Sequence, residues 1–133
     1  MNTSRFSPFV ATALLICSSA AFAHHGTAGF YDKNKIVKVE GVVKEFRWRN
    51  PHSGLFLIVK DASGKELTYA IEMGSPAALS RSGYSRYTFK PGDAVVAEVY
   101  PSYGSVVTGE ADSNRVWVNG KPAATRNPTS AEE

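Results

Sequence analysis

Three histidines offer the most specific chemistry in this sequence: His24, His25 and His52. The first two directly follow Ala21-Phe22-Ala23, a small-x-small signature of signal-peptide cleavage. Cleavage after Ala23 would make His24 the first residue of the mature chain. Its free amine and its own Nδ1 would then close a chelate ring around a metal ion. A third nitrogen, from His25 or His52, would complete a T-shaped set. That geometry suits tetragonal Cu(II), with Zn(II) as the second choice. Amine and neutral imidazole are good ligands near neutral pH. His52 lies in the turn Asn50-Pro51-His52-Ser53-Gly54, where a proline would hold it steady. Gly26, Tyr31 and Asp32 are candidates to tune such a site. The plainer reading is two solvated terminal histidines and a third that caps a turn.

The other chemistry-bearing residues form weaker patterns. Phe46-Arg47-Trp48-Arg49 alternates rings with cations, as a stacking surface for bases or sugars would. In a strand, however, the rings face one way and the arginines the other, which favours rings in a core. Trp48, Arg49, Tyr84 and Tyr103 are the candidates for a ligand groove. Glu72 could act as a base, but no nucleophile or second carboxylate is spaced with it. Ser75 before Pro76 is better explained as a helix cap. No Ser-His-Asp, Rossmann or P-loop pattern occurs, so neither an enzyme nor an organic cofactor is expected.

The elements that must position these residues begin after a leader. Residues 1–23 carry Arg5, then an apolar run from Phe9 to Ile16, then the cleavage signature. The run is too short for a bilayer-spanning helix, so no transmembrane segment is expected after processing. Ile16 before Cys17 is too large for a lipoprotein signal. The mature chain would be residues 24–133, without cysteine, and its net charge would fall from +3 to +2. That weak charge, in an exported chain, argues against nucleic acid as the partner. At 133 residues and 43% hydrophobic, the chain suits one domain held by an apolar core.

From Ile36 to Trp48 the residues suit a long strand with Val37, Val39 and Val43 on one face. Phe46 and Trp48 stand in the opposite phase, which requires a slip at Lys44-Glu45, with a bend at Gly41. Leu55 to Val59 is apolar throughout and reads as a strand buried on both faces. Asp61-Ala62-Ser63-Gly64-Lys65 closes a hairpin onto a third strand, Glu66 to Glu72. Residues 76–82 read as a short helix stopped at Gly83. Lys90-Pro91-Gly92-Asp93 turns into a fourth strand, Ala94 to Tyr100. The fifth lies within Ser105–Val118, with Arg115–Val118 favoured, before an Asn119-Gly120 turn. The expected class is all-β with one short helix, order β-β-β-α-β-β: a five-stranded barrel of the OB type, with an open sandwich as runner-up. The domain is expected over 24–121, and residues 122–133 as a disordered polar tail.

A larger set of residues carries a resemblance. His24-His25-Gly26, Phe30-Tyr31-Asp32, Gly41-Val42-Val43, Trp48-Arg49-Asn50-Pro51-His52, Ile71-Glu72-Met73-Gly74-Ser75-Pro76 with Leu79 and Gly83, and Lys90-Pro91-Gly92-Asp93 occur in that order. Together they resemble domain of unknown function 6152, a family of small exported bacterial proteins. The resemblance runs from His24 to about Lys121. It departs at Tyr84, where the family commonly has Trp after the glycine. It implies a Gram-negative periplasmic or secreted location and no particular activity. From the three histidines, the expected partner is a metal ion, bound by a copper-binding periplasmic barrel. The alternative is a non-enzymatic module for an envelope polysaccharide, peptide or protein.

Overall fold

The computed structural model describes residues 29–125. Strand β1 runs from Val37 to Arg47 and places Val39 and Val43 in the core. Its first half, Val37 to Val42, pairs with β4 (Ala94–Pro101), and its second half, Val42 to Arg47, pairs with β2 (Gly54–Lys60). The changeover needs Gly41. A Cβ there would stand 2.5 Å from the Ile58 carbonyl oxygen, so only glycine lets the strands approach this closely. The ladder slips between Val43 and Glu45, which brings Phe46 and Trp48 back against the core. The expected slip is present, and Gly41 stands where β1 changes partner.

β2 is followed by an antiparallel β3 (Glu66–Glu72) across a hairpin in which Asp61 Oδ1 accepts the backbone N–H of Ser63 and Lys65. Leu55 and Leu57 are fully enclosed, whereas Phe56 and Ile58 are only half-buried. β2 is therefore buried on one face, not both. An antiparallel barrel strand has one inward and one outward face, even where the outward residues are apolar. Helix α1 (Pro76–Arg81) follows β3. Ser75 Oγ caps it by accepting from Ala78 N–H, and Leu79 joins the core.

Closure depends on β5 (Thr108–Glu110), which pairs parallel with β3 and antiparallel with β4. The ring runs β1-β2-β3-β5-β4 and returns to β1. This is a closed five-stranded barrel with the helix between β3 and β4, the OB topology. The expected fifth strand proves to be two. After a 3₁₀ turn at Ser113–Arg115, β6 (Val116–Val118) pairs with Val95 to Ala97 of β4, further along the same edge. Arg115–Val118 thus supplies the extension rather than the closure. Thr-Gly-Glu has no apolar alternation to mark it as the closing strand. Gly109 is required there because a Cβ would meet Val99 at 2.8 Å.

The Asn119-Gly120 turn has positive φ at both positions and returns the chain as β7 (Lys121–Pro122). Ala123 is buried, its N–H donates to Val116, and the Thr125 N–H donates to Ser82. Residues 122–125 are therefore part of the barrel rather than a disordered tail. Burial of the Ala123 methyl together with these two backbone hydrogen bonds offsets the entropy cost of ordering the stretch. Residues 126–133 lie outside the described residues. Among the described residues, no helix is long and apolar enough to cross a membrane.

Candidate functional site

The β1–β2 loop lies against the open end of β3. Ser53 N–H donates to the Gly74 carbonyl, and Met73 N–H donates back to Ser53. This pair extends the β2–β3 ladder by one step beyond Gly54 and Glu72, and it fixes the loop residue His52 beside Glu72. His52 Nδ1 faces Glu72 Oε1 directly. A carboxylate oxygen against a ring nitrogen needs a proton between them, so Nδ1 carries the hydrogen and Nε2 remains. The His52 side chain is 46% exposed.

The second oxygen of Glu72 is also engaged. Tyr31 OH donates to Glu72 Oε2 at 2.7 Å, from 41 positions upstream. Tyr31 is buried and pinned to the barrel by a bridge to Ser102, with Asp32 N–H donating to Pro101. Burial, and then the bond to Glu72, push the Tyr31 phenol above its ordinary pKa, so it acts as a neutral donor. Tyr31, Glu72 and His52 form one connected row.

This row borders a cleft of about 410 Å³, whose lining also includes Arg47, Arg49, Pro51 and Phe56. Arg47 is held by two hydrogen bonds from its guanidinium to Glu45 and lies 4.3 Å over the Phe56 ring. Among the described residues, Arg49 has no ion-pair or hydrogen-bond partner. The cleft mixes apolar walls with a few polar groups, the usual composition of a small-ligand site.

The residues singled out from sequence fare differently. His52 and Arg49 both line this cleft. His24 and His25 lie outside the described residues, as do Gly26, Cys17 and the rest of the expected leader, residues 1–23. Among the described residues, no group of three His, Cys, Asp or Glu side chains is close enough to hold a metal. Trp48 packs edge-on to Phe46 and leans on the core. The rings of the Phe46–Arg49 stripe thus face inward. Tyr84 is buried, with its hydroxyl donating to the Ser113 carbonyl, so it cannot line a surface groove. Its hydroxyl finds a partner inside, which removes the need for solvent. Tyr103 is exposed but borders a separate hollow with Val106 and Lys35. Tyr31, named only as a tuning residue, is a full member of the site. Phe56 was hidden in an apolar run, and nothing in its spacing distinguishes it from a core residue.

A model described as a family of unknown function (DUF6152) matches residues 13–111. The chain belongs to that family. The match includes the whole Tyr31–Glu72–His52 row and ends before β6. A search of curated proteins finds no match to the chain. Among solved structures, the mitochondrial single-stranded DNA-binding protein Rim1 of S. cerevisiae is similar at 10% identity, with a TM-score of 0.46. The alignment covers 65% of this chain and 95% of Rim1.

Proposed function

We propose that this DUF6152 member is an exported periplasmic barrel that binds Cu(II) through His52 and a processed terminus beginning at His24. The observation that carries this reading is the pairing of His52 Nδ1 with Glu72. Metal-ligating histidines regularly give their other ring nitrogen to a carboxylate, which fixes the tautomer and the ring orientation. Here that arrangement leaves Nε2 as the ligating nitrogen on a half-exposed ring. Tyr31 supports the same reading, because its bond to Glu72 docks the segment just after the two terminal histidines onto the partner of His52. Tyr31 lies seven positions after His24, and an extended chain of seven steps reaches at most roughly 23 Å. A tether of that length would let His24 reach His52. Amine and imidazole donors, without a cysteine in the mature chain, favour Cu(II) over soft-metal chemistry.

The test is recovery of the protein after expression of the whole chain with its leader. Intact mass should place His24 first, and titration should show one Cu(II) per chain. His52→Ala, or a residue inserted before His24, should abolish most of the affinity. Parent-like titration of both variants would overturn the reading.

A further inference from the structure

Among the described residues, the cleft beside His52 holds one cation that makes no ion pair. Its charged side chains are Arg47, Arg49 and Glu72, and His52 also lines it. Arg47 is neutralised by Glu45. Glu72 is occupied on both oxygens by Tyr31 and His52. Arg49 is left, at the cleft wall, with no ion-pair partner among the described residues. A guanidinium presents a planar fork that matches a carboxylate. Pro51 and Phe56 supply apolar wall beside it. Phe56 is held in place from two sides. Arg47 lies over its ring, and Gly54 leaves room for it, because a Cβ there would stand 3.0 Å from the ring. A fixed ring and a guanidinium without an ion-pair partner among the described residues, lining one cleft, can take a ligand that is anionic at one end and apolar at the other.

We propose that this cleft binds a small organic carboxylate, with Arg49 gripping the carboxylate and Phe56 and Pro51 covering the apolar body. The inference rests on reading the barrel as a binding module, but the anion site needs no metal. The cleft of about 410 Å³ has room for a single aromatic ring with its acid group.

The experiment titrates metal-free protein, kept in chelator, with benzoate and follows amide shifts by NMR. Saturable shifts should appear in residues 47–56 and 70–72. Benzyl alcohol, which has the same ring without the charge, should bind at least about tenfold more weakly, as should inorganic phosphate, which lacks the apolar body. Arg49→Gln should lower benzoate affinity about tenfold or more, Arg49→Lys should lower it less, and Lys60→Gln should leave it unchanged. Thermal unfolding of each variant checks its fold. Equal binding of benzoate and benzyl alcohol, an unaltered Arg49→Gln variant, shifts that map elsewhere, or no saturable binding at millimolar benzoate would each overturn the proposal. A Cu(II) titration of the same samples without chelator reports on the metal reading separately, so either idea can fail alone.

Discussion

His52, in the β1–β2 loop, turns Nδ1 onto the carboxylate of Glu72 at the end of β3. The contact follows from the ladder: Ser53 and the Met73–Gly74 segment exchange backbone hydrogen bonds, so the neighbouring side chains must meet. Glu72 is in turn steadied by Tyr31. The row therefore orients the His52 ring through two supporting residues.

If His52 ligates through Nε2, removing its partner should loosen the ring. Glu72→Ala is expected to lower Cu(II) affinity about 10- to 100-fold. Tyr31→Phe should have a smaller effect in the same direction, because the carboxylate remains. Competition against a coloured chelator measures both, and an unchanged Glu72→Ala affinity would show that the carboxylate plays no part.

Gly41→Ala tests the changeover of β1. The new methyl would press on the backbone oxygen of Ile58, which has no free end to swing aside. A loss of about 2 kcal/mol or more is expected in urea unfolding. A variant as stable as the parent would mean that the strands do not approach this closely.

Asp93 links two turns. Its carboxylate accepts the Lys90 N–H and the Asn119 side-chain amide, which together hold its pKa below the usual 3.8. Folding thus favours the charged form. The stabilisation is complete above pH 3.8 and disappears as the pH falls through the lower folded value. Asp93→Asn should therefore melt below the parent at neutral pH, and the gap should close in strong acid. Melting temperatures measured across that range would show a constant gap if the carboxylate carried no charge-dependent role.

The stretch after the last turn can be tested by cutting it off. Truncation after Gly120 removes the buried Ala123 and the hydrogen bonds from Ala123 to Val116 and from Thr125 to Ser82. A loss of about 1–3 kcal/mol is expected. Denaturant titration of the truncated chain against the parent decides it, with equal midpoints assigning this stretch no role in stability.

Much of the barrel was legible because its signals are local. The out-of-phase Phe46 and Trp48 announced the slip in β1, Ser75-Pro76 the helix start, and Asn119-Gly120 the last turn. These depend on side-chain alternation and turn chemistry within a few residues. Burial of β2 was misjudged because an apolar residue reads the same whether it faces the core or the outside, as Phe56 and Ile58 show.

Amino-acid order alone determined the first four strands, the main turns, the short helix and the family to which the chain belongs. Tertiary structure alone decided that Thr108–Glu110 closes the barrel and that Tyr31, His52 and Glu72 meet. Closure rests on a parallel pairing between segments far apart in the chain, and Gly109 brings no side chain to advertise it. Contacts of that kind are set by how whole strands stack around a common core, and no short window of residues contains that information.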